Sequence, residues 1–423
     1  MNDTVKKFGE YVTGQISRHP VRARKILASA FRGYGLATRY GKNKDDLPAR
    51  KYLMYLCNES MAEPLKHPAN TVIVSIFTPC EFFQAMGLKV VFPEGLGCYM
   101  TASGCEKVFL ERAEECGVPE TLCSYHKMLI GMAETGVLPK PRFIVNTTMA
   151  CDANQLSFRY LAEYFGVPHF VLDIPTGCSG KNVEYMTTQL HDMVSFMEEH
   201  TGRTMDEDKL RASVIRAQQT INNYRKILSL KANRHERTKI TYHMMDIFAI
   251  HVLLGTKEVL KYTEKLIKDL SGLPKDTEGT RIMWVHTMPY WQDSVADIYN
   301  YSDAAEVVSC DMIYDNIIDL DPDKPYESLA RQILCNHFNG SAERRISRVI
   351  AYSEKMNIDG ILYFCHWGCK QTLGTASLAK KRFEEAGFPT LALDGDGCDS
   401  RNIQDGQMVT RIGAFMEQLE AQK

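Results

Sequence analysis

Apolar residues follow two rhythms along this chain. In two stretches they gather into short β-branched runs bounded by Gly, Pro or Asp, which is strand patterning; before and between those stretches they recur at helical spacing. In the first stretch Thr71–Phe77, Lys89–Phe92, Arg142–Thr148 and His169–Asp173 read as strands, and in the second Arg281–His286, Ala305–Val308, Gly360–Phe364 and Thr390–Asp394 do. Helices are predicted over Glu81–Gly87, Cys105–Cys116, Gln155–Phe165 and Ser341–Met356, with another starting near Leu122–His126. Strands alternating with helices in both halves predict two open parallel α/β sheets. Residues 1–66 and about 185–270 carry helical periodicity without strands. The expected organisation is an N-terminal α/β domain with a helical extension over 1–184, a helical segment over 185–275 and a C-terminal α/β domain over 276–423. A length of 423 residues agrees with it, since a single core stops growing well short of that size.

The two halves share a spacing. Thr148 precedes Cys151 by three positions, a helix follows, then Gly166-Val167-Pro168, an apolar strand and Asp173. His366 precedes Cys369 by three, and a helix, Gly387-Phe388-Pro389, an apolar strand and Asp394 follow in the same order. This is the pattern of an internal structural repeat. It places Cys151 and Cys369 at equivalent carboxyl edges of two sheets, where open α/β folds bind ligands.

Composition narrows the function classes. A net charge of −2 leaves no electrostatic footprint for nucleic acid. The first twenty residues hold no apolar core of a secretory signal, and no window approaches the roughly 18 unbroken apolar residues of a membrane span, so the expected location is the cytoplasm. Thirteen cysteines are many, but the number is odd and no secretory signal accompanies it, which weakens a disulfide framework. Cys57, Cys116, Cys310 and Cys335 read as inert small hydrophobes.

The cysteines at strand-to-helix joints carry the chemistry. In Phe364-Cys365-His366-Trp367-Gly368-Cys369-Lys370-Gln371 an apolar strand runs through a short loop into a helix, where free N–H groups and the dipole favour anionic sulfur. No CxxC pair, zinc-finger spacing or ferredoxin run is present. Cys365 and Cys369 are separated by Gly368 and a change of element, and Cys369 is the one expected to face a cleft. Cys123, Cys151 and Cys369, distant in sequence and each preceding a helix, suit three corners of a [4Fe–4S] cube with one iron left open. Buried structural cysteines are the competing interpretation.

Glu81 is a candidate base at a strand-to-helix joint, although Thr78-Pro79-Cys80-Glu81 also reads as a capping box with Thr78 as N-cap. His366 and Trp367 adjoin the cysteine loop, and Asp173 and Asp394 end strands, where carboxylates often cap helices. Asp394-Gly395-Asp396-Gly397-Cys398-Asp399 lacks the ligand spacing of a calcium loop. Gly95-Leu96-Gly97 lacks the third glycine of a dinucleotide fingerprint, so NAD is not supported.

Together TPCEFFQAMGL, ETLCSYHKMLIG, NTTMACD, FGVPHFVLDIP, FCHWGCKQ and GFPTLALDGDGCDSRN resemble the 2-hydroxyacyl-CoA dehydratase family, which includes subunits of ATP-dependent benzoyl-CoA reductase. The likeness spans nearly all of residues 70–410. It implies two Rossmann-like domains with a [4Fe–4S] cluster between them, and it carries the ligand set onto Cys123, Cys151 and Cys369. It also implies a homologous second subunit, an ATP-dependent iron–sulfur activator that delivers electrons, and an acyl-CoA substrate. The implied reaction is radical elimination of water from a 2-hydroxyacyl-CoA to an enoyl-CoA; Glu81 is the candidate base for the β-proton, with the iron-bound hydroxyl as its competitor. The alternatives are a benzoyl-CoA-type or double-cubane reductase subunit, or a non-catalytic electron-transfer subunit. The double-cubane branch carries an additional cysteine near the position of Phe77 that this chain lacks, which leaves Cys310 and Cys335 as the cysteines open to a second cube.

Overall fold

The computed structural model describes residues 3–275, 277, 279–403 and 405–422. The strands are β1 (Thr71–Val74), β2 (Lys89–Val91), β3 (Ile144–Thr147), β4 (His169–Leu172), β5 (Thr280–Val285), β6 (Ala305–Cys310), β7 (Gly360–His366) and β8 (Thr390–Gly395). Every run with strand patterning forms one, shifted by a few residues at its ends. They build two four-stranded parallel sheets, ordered β2-β1-β3-β4 and β6-β5-β7-β8. The α/β class and the two parallel-sheet domains are therefore as the hydrophobic pattern predicts.

The repeat is visible down to single hydrogen bonds. The amide of Ile144 donates to the carbonyl of Pro168 at 3.0 Å, and the amide of Ile361 donates to that of Pro389 at 2.9 Å. Helices Asp152–Phe165 and Lys370–Glu385 then leave the matching strands β3 and β7, with Cys151 and Cys369 as their N-cap residues. The turns agree as well: Ala150 and Gly368, each directly before its cysteine, take left-handed backbone with φ of 64° and 80°. Ala150 holds that conformation without glycine's freedom, which costs backbone strain of the kind found at functional sites.

The helix at Pro93–Ala102 has no counterpart among the predicted elements. Its two glycines conceal it, because glycine weakens a helical pattern. Each answers a close contact: a Cβ on Gly97 would lie 2.6 Å from the Tyr125 ring, and one on Gly95 2.5 Å from the Phe92 ring.

The helices before β1 join the helical segment between the sheets. Arg50, on the helix Pro48–Lys66, is fully buried. Its guanidinium bonds Glu236 through Nε at 2.6 Å and Nη2 at 2.9 Å, and Asp246 through Nη1 at 2.5 Å. Lys231 adds a second cation to Glu236 at 3.0 Å. Despite its burial, Glu236 is held well below the usual carboxylate range by these cations. Breaking such a network strands buried charges, so Arg50→Ala is expected to lower unfolding stability by about 3–5 kcal/mol in denaturant titration. A loss under about 1 kcal/mol would contradict the network's role.

One cysteine assignment changes. Cys335, read as a free buried thiol, is disulfide-bonded to Cys178, with Cα atoms 5.6 Å apart. The partners are separated by 157 positions, and a pairing between the loop after β4 and the end of helix Pro325–Cys335 depends on how the two sheets dock, which spacing along the chain does not encode. Cys335 is thus unavailable to a second cube.

Candidate functional site

The carboxyl edges of the two sheets meet around the three predicted cysteines. Cys123 is the N-cap residue of helix Ser124–Glu134, in the first half of the chain, and the Cys369 loop packs directly on it. At Gly368 a Cβ would lie 2.7 Å from the Cys123 amide nitrogen, so only glycine permits this approach. Each cysteine thus sits at the amino end of a helix of eleven or more residues, where unpaired N–H groups favour anionic sulfur. Burial pushes the Cys123 thiol up strongly, and the nearby Cys151 and Cys369 push it further; burial, then Cys369 and Glu94, do the same to Cys151. Such thiols lose their protons readily only to a metal.

Among the described residues each sulfur has one polar side-chain neighbour, besides backbone N–H groups of Tyr125 at Cys123 and of Ala153 and Asn154 at Cys151. Cys123 Sγ lies 3.3 Å from His366 Nε2, Cys151 Sγ lies 3.5 Å from His126 Nε2, and Cys369 Sγ lies 3.4 Å from Thr372 Oγ1. His126 and Thr372 carry no signal in the sequence beyond lying one helical turn from a cysteine-bearing joint. Among the described residues no group of three or more His, Cys, Asp or Glu side chains is arranged to hold a single metal ion. Three soft sulfur donors on three separate loops suit a larger, thiolate-selective group instead, and a four-iron cube is of that kind.

Two other cysteines lie close by. Successive residues of a strand face opposite sides, so Cys365 on β7 points away from His366; its nearest polar partner is the Tyr363 carbonyl at 4.0 Å. Cys398 is fully buried and bonds Ser124 Oγ at 3.3 Å. The Asp396 carboxylate beside it organises the loop after β8, accepting from the amides of Cys398 and Asp399 and from Ser124 Oγ at 2.5 Å. Those bonds are local turn geometry tied to the other half of the chain. Trp367 is about half exposed at the rim. Asp173 accepts from Thr148 and Tyr185, and Asp394 pairs with Arg411, so both are surface partners.

Glu81 begins the short helix Glu81–Ala85 after β1 and is buried. The capping box is not formed: Cys80 occupies the N-cap position, and the Thr78 hydroxyl bonds Ser75 Oγ at 2.9 Å. Glu81 Oε1 is buried with no hydrogen-bond partner, and burial raises the carboxyl to about 7. Glu94 is a second such group, absent from the candidates read in the sequence. It stands in the first turn of the helix after β2, its Oε2 is buried without a partner, and burial raises it to about 7. Its charge reaches both Cys151 and His251, whose ring pairs with Asp315 at 2.9 Å. The signal exists: a strand, a proline and a glutamate at the next helix start, as at Pro79 and Glu81.

Three thiols thus stand together at helix N-cap positions, and of the two buried carboxyls raised to about 7, Glu94 reaches Cys151 electrostatically while Glu81 packs beside Gly255 of the helical segment. The family model for the 2-hydroxyglutaryl-CoA dehydratase D-component matches residues 75–419 and so contains every one of these groups. The chain belongs to this family. Among curated proteins it is similar to the (R)-phenyllactyl-CoA dehydratase alpha subunit of Clostridium sporogenes, at 25% identity over 82% of this chain and 88% of that one. It is also similar to the lactoyl-CoA dehydratase subunit alpha of Anaerotignum propionicum, at 22% identity over 81% and 89%. A benzoyl-CoA reductase subunit of Thauera aromatica matches at 22% identity over 74% of this chain and 79% of its own. No helix among the described residues is long and apolar enough to cross a membrane.

Proposed function

We propose that this chain is the iron–sulfur subunit of a cytoplasmic 2-hydroxyacyl-CoA dehydratase, with Cys123, Cys151 and Cys369 holding a [4Fe–4S] cluster. The observation that carries the reading is the juxtaposition of three thiols at helix N-termini, on loops of both halves, with the buried Glu94 carboxyl in electrostatic reach of Cys151. Family membership and the relatives' names support the reaction class and a partner subunit. When bound, the cluster supplies one low-potential electron to the substrate and takes it back, the electron having been injected by an ATP-dependent activator.

The need for that electron follows from the substrate. The β-hydrogen of a 2-hydroxyacyl thioester is not acidic at neutral pH, because no carbonyl is placed to stabilise the carbanion. Once the thioester carbonyl is a ketyl radical, the 2-hydroxyl leaves and the β-proton comes within reach of an ordinary base. Glu81 is that base. Raised to about 7, its carboxyl is both partly ionised at neutral pH and a good enough acceptor. Its burial keeps water from the same proton.

A reductase role is the second reading, supported by the similarity to a benzoyl-CoA reductase subunit. Anaerobic reconstitution with a homologous second subunit, an activator and ATP separates the two. The dehydratase reading expects ATP-dependent enoyl-CoA from 2-hydroxyacyl-CoA substrates. Reduction of an aromatic acyl-CoA without dehydration of any 2-hydroxyacyl-CoA would replace it with the second.

A further inference from the structure

We infer that His366 is a positioning residue for the candidate ligand Cys123, presenting a fixed N–H to its sulfur and thereby raising the reduction potential of the bound cluster. The inference rests on the reading that Cys123, Cys151 and Cys369 hold that cluster.

Geometry decides which ring nitrogen carries the proton. The amide of Gly397 donates to His366 Nδ1 at 2.9 Å, so Nδ1 is the acceptor nitrogen and Nε2 bears the hydrogen. Nε2 lies 3.3 Å from Cys123 Sγ. The side chain is 1% exposed, so no water competes for that N–H. Asp396 Oδ1 stands 3.7 Å from Nδ1, beyond hydrogen-bond reach, and accepts instead from Ser124, Cys398 and Asp399.

The donor is held rigidly. The carbonyl of Gly397 accepts from Trp291 Nε1 at 2.7 Å, so the residue whose amide fixes the tautomer is also held on its carboxyl side. No other residue fits at position 397, where a Cβ would lie 2.0 Å from Tyr125 Oη. The Tyr125 ring covers the imidazole at a centroid distance of 4.9 Å.

The other two sulfurs are treated differently. His126 Nδ1 lies 2.7 Å from Ser157 Oγ, and the Ser157 hydroxyl donates to the Ala153 carbonyl at 2.8 Å. The Ser157 oxygen therefore accepts from Nδ1–H, which leaves His126 Nε2 as an acceptor facing Cys151. Cys369 meets the Thr372 hydroxyl, which itself accepts from Arg345 Nη1 at 3.5 Å, and the Arg345 charge reaches the sulfur electrostatically. Backbone N–H groups also reach two of the sulfurs, that of Tyr125 at Cys123 and those of Ala153 and Asn154 at Cys151; among the described residues, Cys123 is the one of the three that also meets a side-chain N–H whose direction the fold fixes.

Reduction adds negative charge that spreads onto the ligating sulfurs, and a donor aimed at one of them in a buried site stabilises the reduced form. Removing the donor should then make the cluster harder to reduce. The test is an EPR-monitored redox titration of the anaerobically purified full chain, with iron and sulfide counted on each sample. His366→Leu is expected to lower the midpoint by about a tenfold change in the reduction equilibrium, ~59 mV for one electron. His366→Gln, whose amide N–H reaches toward the position of Nε2, is expected to restore at least half of that shift. A wild-type midpoint in the Leu chain at full iron content would overturn the inference, and so would a Gln chain shifted as far as the Leu chain. Pulsed EPR of wild-type chain labelled with 15N-histidine gives a second readout that needs no variant. It should show a histidine nitrogen coupled to the reduced cluster, and no such coupling would overturn the inference. Absence of iron in the wild type would sink the function reading along with it, whereas iron with an unshifted midpoint sinks the inference alone.

Discussion

The Cys369→Ser chain, purified without oxygen, is expected to lose its cluster, retaining on the order of a hundredth of the wild-type affinity for it, at least the upper end of what disturbing a ligand's support costs. A serine hydroxyl is a harder, far less acidic donor than a thiolate, and the position is the N-cap of a sixteen-residue helix whose dipole favours an anion. Cys365→Ser is the internal control. It alters a thiol four residues away on the opposite side of β7 from His366 and should leave iron content within about twofold of wild type. If both chains keep their iron, Cys369 is not a ligand. If Cys365→Ser alone loses it, the assignment of the two cysteines is reversed.

Glu81→Gln is expected to leave the cluster in place and lower turnover by about 10²- to 10⁴-fold, the usual contribution of a positioned general base. The same substitution has a thermodynamic signature of predictable sign. The folded carboxyl is raised to about 7, so the folded chain keeps a proton that the unfolded chain releases near the ordinary carboxylate range. Glu81 therefore costs no stability in acid below that range, and its cost grows as pH rises toward 7. The Gln chain should match wild type near pH 4 and exceed it in midpoint temperature at pH 8. Wild-type turnover should rise with pH through about 7 as the carboxylate forms, and this limb should vanish in the Gln chain. Retained turnover would remove Glu81 from the base role and pass it to Glu94, which shares the raised carboxyl and lies within electrostatic reach of Cys151.

Local pattern in the sequence carries the strands and much of the site. Apolar runs such as the β-branched Thr71–Val74 and the aliphatic and aromatic Ile361–Phe364 pack on both faces of a buried parallel sheet, and their composition announces it. Cys151 and Cys369 pair from the sequence alone because a repeat preserves the order of strand, turn, cysteine, helix and proline. Features that depend on docking stay hidden there. The Arg50 network joins residues about two hundred positions apart, and the Cys178–Cys335 bond joins a loop of one half to a helix end of the other. The pairing of His366 with Cys123 and of His126 with Cys151 likewise exists only once the sheet edges meet. Glu94 is masked by the glycines that follow it, which mimic part of a nucleotide-binding loop and in fact serve helix packing.

The proposed cluster is a single four-iron cube held by three cysteines from both halves of one chain. Iron and sulfide analysis of the chain purified anaerobically, with EPR of the reduced sample, tests it most directly. About four irons and four sulfides per chain are expected, with the signal of a reduced [4Fe–4S] cluster. Zinc in place of iron, no metal, or about eight irons per chain would contradict it.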